Sequence, residues 1–310
     1  MEDLVKRARI QRLSFSLKQI DEYYFEFFAK LRKRRTRGRL NILGREVWVF
    51  VLTERENGSS AREVMTSVLQ RLYPIVIRPI ISVRSYFSIL DNFARMYKVE
   101  VEEFLLRKRK AGETSKRWTS KIYEEAKKEI LSDMRDKRLV VDAVRLFFKY
   151  MDKQASIKFD RFGLITIYDA LPLSFIEIYH YLMVPFIEAV LEEYRELKKV
   201  KREEIVEIGG VMRPLLKIAR LKFIRHRIDV ADFERLINTL EEHFYVSVYH
   251  LGNPWLHLSV IDNGNGSSFE IIATPSEAQI IPVIKASSTS LKLIIDAFNS
   301  VVPEISLTVE

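Results

Sequence analysis

IQRLSFSLKQIDEYYFEFFAKLRKRRTRGR, residues Ile10–Arg39, is the stretch on which the reading of this chain turns. Ile10, Leu13, Leu17, Ile20, Tyr24, Phe27 and Leu31 recur at alternating spacings of 3 and 4, the pattern of a helix that offers an apolar seam. The spacing predicts one long helix from about residue 4 to 35. Tyr23, Phe25 and Phe28 widen the stripe, which favours packing against a domain over a free coiled coil. The seam runs into Lys30–Arg39, where seven of ten residues are cationic (Lys30, Arg32, Lys33, Arg34, Arg35, Arg37 and Arg39) and none is acidic. At the C-terminus of a helix such cations complement the macrodipole.

Outward from this block, Glu46–Glu54 reads as a strand, Asn57-Gly58 as a turn, and Ser60–Glu63 as a capping box opening a helix to about Leu72. Helices are predicted around Ser85–Tyr97, at 118–136, at 139–153 and from Pro185 to Val200. Ser156–Asp169 alternates on both sides of Asp160–Gly163 and suits a hairpin. A second basic cluster (Arg107, Lys108, Arg109, Lys110, Lys116, Arg117, Lys121) is opposed in sequence only by Glu113 and reads as a loop between helices. A third, Arg213–Arg227, contains no acid. Wound as a helix, it places Arg213, Lys217, Arg220 and Arg227 on one face.

Beyond Asp229 the character changes. A capped helix (Phe233, Leu236, Ile237, Leu240, Phe244) leads into strand-like runs at Tyr245–His250, Trp255–Asp262, Ser268–Thr274 and Ala278–Lys285, separated by Gly, Asn and Pro turns. Short turns imply an antiparallel meander. A closing helix through Leu291–Phe298 and a last strand at Ile305–Val309 complete it. The fold expected is therefore α+β: a mainly helical basic body with a long N-terminal helix over 1–228, subdivided near 155, then a smaller α+β domain over 229–310 with an antiparallel sheet of four to five strands.

Charge follows the same division. Residues 1–227 hold 48 basic and 31 acidic residues, residues 228–310 only 3 and 11, although the net charge of +9 hides this. Such asymmetry separates a polyanion-binding part from a protein-contacting part. With no Cys in 310 residues, a disulfide framework, a thiolate zinc site, an iron–sulfur cluster and a cysteine nucleophile are excluded. Glu2 and Asp3 follow Met1 without an apolar run, so no secretory signal is expected and placement is cytoplasmic or intraviral. The apolar zone Leu164–Leu191 carries Asp169, Glu177, His180 and Glu188 and is cut by Pro172 and Pro185. It reads as buried helices, not a transmembrane segment.

The chain carries neither a phosphate-cradling glycine loop nor a nucleophile elbow. His243, His250 and His257 are spaced by seven but fall on different expected elements, so no metal site is assigned. Asp262 with Glu270 and Ile272 lacks the lysine of a restriction-type nuclease, and Asp262–Gly266 lacks the carboxylates of a calcium loop. No catalytic residue and no cofactor is assigned. Trp48 and Trp118 lie beside basic clusters as base-stacking candidates, with a core role as the competing assignment.

The expected function is non-enzymatic nucleic-acid binding, DNA or RNA. Lys30, Arg32, Lys33, Arg34, Arg35, Arg37, Arg39, Arg107, Lys108, Arg109, Lys110, Lys116, Arg117, Arg213, Lys217, Arg220 and Arg227 would hold the phosphate backbone, and the acidic C-terminal domain would make protein contacts. The alternative is a structural or assembly protein, viral or a multi-subunit scaffold, that self-associates through the N-terminal seam or the acidic domain. Peripheral contact with an anionic membrane is a further candidate, because an aromatic amphipathic helix abuts a polybasic run. An enzyme without a recognisable motif ranks third.

Overall fold

The computed structural model describes residues 13–31, 34–43, 47–52, 61–72, 77–108, 114–136, 139–150, 153–169, 172–200, 202–208, 211–224, 227–252, 255–283 and 286–310. They form two compact units, Met1–Arg78 and Pro79–Glu310.

In the first unit the expected long helix does not exist. β1 (Leu13–Gln19), β2 (Tyr24–Leu31), β3 (Arg34–Leu43) and β4 (Val47–Val51) form a four-stranded antiparallel meander. Helix α1 (Ala61–Leu72) lies on one face. An aromatic-rich run contains enough apolar residues to satisfy a 3/4 spacing and a period of two at once, and here the period of two wins. Phe25, Phe27 and Ala29 are buried, whereas Glu26, Phe28 and Lys30 between them are exposed. Phe15, Phe25, Phe27, Ala29 and Leu40 pack on Val64, Met65 and Val68 of α1. Aromatic residues favour a pleated, half-buried surface. Asp21 turns the chain: its Oδ1 accepts from the Tyr23 amide at 3.0 Å.

The second unit is also dominated by strands, so the mainly helical body is replaced by a mostly β architecture. After α2 (Val83–Met96), β5 (Val99–Lys108), β6 (Thr114–Ile122), α3 (Tyr123–Asp136), β7 (Leu139–Tyr150), β8 (Lys153–Asp160) and β9 (Ile165–Asp169) build an antiparallel sheet of order β6-β5-β7-β8-β9. The helix expected at 118–136 begins only at Tyr123, and the one at 139–153 is strand β7. Both faces of β7 are covered over much of its length: Val140, Val141, Ala143, Val144 and Leu146 are all buried. That gives it no alternation to read. The β8–β9 turn uses Gly163 at φ +77°, and a Cβ there would stand 2.7 Å from the Phe186 ring.

α4 (Pro172–Ile178) and α5 (Val184–Leu197) are joined through one π-helical turn, Tyr179–Met183. The third basic cluster is likewise not helical. β10 (Arg202–Ile208) and β11 (Val211–Leu216) form a hairpin, and β12 (Ala219–Phe223) enters a six-stranded sheet. That sheet continues through β13 (Phe244–Leu251), β14 (Leu256–Asp262), β15 (Ser268–Ala273), β16 (Glu277–Pro282) and β17 (Ile305–Val309), in the order β13-β14-β15-β16-β12-β17. It exceeds the four to five strands expected because β12, which precedes residue 228, inserts between β16 and β17. α6 (Val230–Glu241), with a capping box from Asp229 and Asp232, and α7 (Ser288–Val301) close its inner face.

Two buried cations hold the segment that leads into this unit. Arg161, fully buried in the β8–β9 turn, donates to the carbonyls of Ile81 at 3.2 Å and Asn299 at 3.4 Å, and its guanidinium lies 3.5 Å from Asp142. Asp142 also receives Arg107 at 2.9 Å. Lys292 of α7 donates to the carbonyl of Ile80 at 3.1 Å, pairs with Asp296, and stands 3.3 Å from Glu193 of α5. Burial pulls the Arg161 guanidinium below its ordinary value, with Asp142 opposing. Two carboxylates share the Lys292 ammonium, and Asp296 is the deeper one. Burial pushes its pKa from 3.8 up to about 7 against the pull of Lys292, and Glu193 adds to the rise.

Arg161→Met leaves the Ile81 and Asn299 carbonyls without their donor and Asp142 with one cation fewer, and should cost about 3–5 kcal/mol in urea unfolding. Asp296 keeps its proton in the folded chain to near neutrality but gives it up near pH 4 when unfolded. Its contribution is therefore present at low pH and lost as pH rises through about 7. Relative to wild type, Asp296→Asn should gain about 1 kcal/mol or more between pH 5 and pH 8, read as a difference in urea midpoints.

Candidate nucleic-acid interface

Strand geometry sorts the first basic block by parity. β2 pairs with β3 so that Lys30 faces Arg35, Phe28 faces Arg37 and Glu26 faces Arg39. On the other side of β2, Lys18 faces Glu26 and Ser16 faces Phe28. All of these side chains are exposed, on the face opposite α1. The result is an open sheet surface carrying Lys18, Lys30, Arg35, Arg37 and Arg39 around Phe28, with Glu26 as its one carboxylate among the described residues. Neighbouring strands stand about 4.8 Å apart and alternate residues about 6.8 Å apart, so the cations form a grid. Among the described residues no carboxylate is salt-bridged to Lys30, Arg35 or Arg39.

Arg34 has the opposite parity and pairs with Glu63 of α1. Arg32 and Lys33 lie outside the described residues. Gly38 is required inside β3: a Cβ there would collide with the Val51 carbonyl and stand 2.9 Å from the Phe27 ring. That ring lies over the glycine and keeps the two strands in close contact.

The second cluster, acid-poor in sequence, meets acids in space. Lys116 lies 3.7 Å from Glu103, Arg117 reaches Glu129 at 3.2 Å and also Asp133, Lys121 pairs with Glu129, and Arg107 pairs with Asp142. Lys108 is the last residue of β5; Arg109 and Lys110 lie outside the described residues. This cluster is an edge-strand hairpin stitched to α3. Trp118 on β6 is 59% exposed, with Lys116 Nζ 5.6 Å from its ring centroid, so it is not a core residue. Trp48 lies on β4.

In the third cluster Arg213 lies on β11, Lys217 is half-buried just before β12, Arg220 pairs with Glu310 at 3.2 Å, and Arg227 is exposed. The helical face that would have joined these four is absent. Among the described residues only the first block assembles into an open cationic surface, and the first block belongs to a different compact unit from the other two.

Other candidates resolve into structure. Asp262 spends its carboxylate on the β14–β15 turn, accepting from the amides of Gly264 and Asn265 and from the Asn265 side chain at 2.7, 3.2 and 3.1 Å. His250 and His257 face each other across β13 and β14, with Trp255 stacked 4.3 Å from His250, while His243 lies beyond the far end of β13. Among the described residues no three His, Asp or Glu side chains form a group able to hold a metal ion, and no helix is long and apolar enough to cross a membrane.

Comparisons with protein-family models, with curated proteins and with solved structures find no match for this chain.

The sequence signal for this surface was the alternation of Arg35, Arg37 and Arg39 with Thr36, Gly38 and Leu40, which a helical reading discards. Gly38→Ala should destabilise the first unit by about 1–3 kcal/mol through overpacking, seen as faster amide exchange in β2 and β3.

Proposed function

We propose that this chain binds single-stranded nucleic acid, without catalysing a reaction, on the open face of the β1–β4 sheet. The observation that carries the proposal is the exposed grid of Lys18, Lys30, Arg35, Arg37 and Arg39 around Phe28. Arginines present a fork suited to phosphate oxygens. An aromatic ring among them offers a platform on which any base can stack. An extended strand laid over a sheet presents both its phosphates and its splayed bases to such a surface, whereas a duplex hides its bases.

The pairing of Arg107, Lys116, Arg117, Lys121 and Arg220 with Glu103, Glu129, Asp133, Asp142 and Glu310 supports concentrating the role in the first block. The membrane alternative loses the amphipathic helix from which it was argued, and assembly through an N-terminal helical seam loses its seam, since Leu13–Gln19, Tyr24–Leu31 and Arg34–Leu43 are strands.

Fluorescence anisotropy with labelled oligo-uridine, oligo-thymidine and a duplex, over a range of salt, tests the proposal. Affinity should fall linearly with the logarithm of salt and favour the single strands. Changing Arg35, Arg37 and Arg39 together to Gln should reduce that slope by about 2, at roughly 0.7 per phosphate contact. Phe28→Ala should weaken binding by about 1–3 kcal/mol while leaving the slope in place. Salt-independent binding, or none at low salt, overturns the proposal.

A further inference from the structure

We propose that β13 is a homodimerisation strand, two copies of the chain pairing antiparallel along Tyr245–Tyr249 about a two-fold axis at Ser247.

β13 is one edge of the six-stranded sheet and, among the described residues, pairs only with β14. An open edge invites pairing, and proteins that leave one free protect it with Lys, Pro, inward charges or a short strand. β13 has none of these over Phe244–Val248; a bulge, another device that guards an edge, occurs only at its end, between Val248 and His250. Its eight residues, FYVSVYHL, include no Lys, Arg, Asp, Glu or Pro. Tyr245 is 72% exposed, Tyr249 63% and Val248 43%. The opposite edge, β17, is five residues long and is followed by Glu310, which pairs with Arg220. The unprotected edge is thus the one suited to a partner strand.

The sequence of the strand identifies that partner. Tyr245-Val246-Ser247-Val248-Tyr249 reads the same in both directions. A two-fold axis requires a self-complementary patch, in which residue i meets j and j meets i. With the axis at Ser247, Tyr245 meets the other copy's Tyr249, Val246 meets its Val248, and Ser247 meets itself. These are aromatic, β-branched and hydroxyl pairs of the kinds that stabilise antiparallel strands.

The backbone is in phase with this arrangement. The Asn263 amide donates to the His243 carbonyl at 3.1 Å, and β13 pairs with β14 so that Tyr245 faces Ile261 and Ser247 faces Ser259. Bonded pairs alternate along an antiparallel ladder, so residues 243, 245 and 247 turn their polar groups toward β14, and Val246 and Val248 turn theirs outward. Each Val246 can therefore exchange two hydrogen bonds with the other copy's Val248, and Ser247 sits at the close, non-hydrogen-bonded pair. The bulge between Val248 and His250 falls on Tyr249, the outermost residue of this ladder, and leaves its centre, Val246 to Val248, in regular register.

The strand itself carries no Lys, Arg, Asp or Glu to oppose the pairing. Glu241 and Glu242 precede the strand. A two-fold at Ser247 puts the Glu242 residues of the two copies ten positions apart along the pair, about 33 Å, well beyond the screening length at physiological salt.

The test is sedimentation of the full chain without nucleic acid, together with three variants. Wild type should shift from monomer to dimer with rising concentration, and do so at high as well as low salt, because no ion pair crosses the interface. Ser247→Lys puts like charges face to face on an exposed position and should weaken the dimer at least tenfold with an unchanged circular dichroism spectrum. Ser247→Cys introduces the sole cysteine of the chain, at a site where its copy lies close enough to bridge. Mild oxidation should convert it to a disulfide-linked dimer much faster than Ser276→Cys, which places a cysteine at an exposed turn. A wild-type monomer at every concentration overturns the proposal, whether or not the edge then accepts a foreign peptide. So does cross-linking of Ser247→Cys no faster than that of Ser276→Cys.

Discussion

Two consecutive carbonyls, those of Ile80 and Ile81, are each held by a buried cation, and the larger unit is organised around that pair of contacts. Lys292 comes from α7 and Arg161 from the β8–β9 turn, so the segment leading into the unit is fixed at once by the five-stranded sheet and by the helix lying on the six-stranded one. Arg161 also reaches the Asn299 carbonyl of α7, which ties the two sheets' layers directly. Charges this deep are tolerable only because each is partnered: Arg161 by Asp142, Lys292 by Glu193 and, once it ionises near neutrality, by Asp296. Their desolvation is costly, and the attraction of these partners offsets it.

The same bookkeeping of charge separates the three basic clusters. Residues that look uncompensated along the chain lie beside carboxylates once α3 folds back on β6, and Arg117 then meets both Glu129 and Asp133. Among the described residues the β2–β3 hairpin has no such covering element on its outer face, and α1 occupies the inner one. Local strand parity, not the number of cations, therefore determines which basic residues are presented to a partner. β13 obeys the same rule from the apolar side: with α6 and α7 committed to the inner face of its sheet, its outward backbone groups at Val246 and Val248 are left at the rim.

Legibility varied along the chain for physical reasons. The C-terminal strands β13 to β16 and their turns were readable, since buried positions alternate along β14 and β16 and Gly, Asn and Pro punctuate the run. The Asp229 cap was readable because a capping box is local. β7 was not, because Val140 to Leu146 are buried on both faces and show no alternation. Residues 13–43 misled because aromatic residues fill 3/4 and 2-residue spacings together. The insertion of β12 between β16 and β17 has no local signature at all.

By itself the sequence determined the charge asymmetry between the two parts, the absence of thiol chemistry, the C-terminal hairpins and the palindrome in β13, all of which are properties of neighbouring residues. Tertiary structure alone decided that the N-terminal aromatic run is a sheet, that Glu103, Glu129, Asp133 and Asp142 pair with Arg107, Lys116, Arg117 and Lys121 of the second basic cluster, and that Arg35, Arg37 and Arg39 share an open face. The reason is that period and charge are read along the chain, whereas burial and ion pairing depend on which distant element covers each face. For Lys30–Arg39, covering the inner face with α1 left the outer one to solvent.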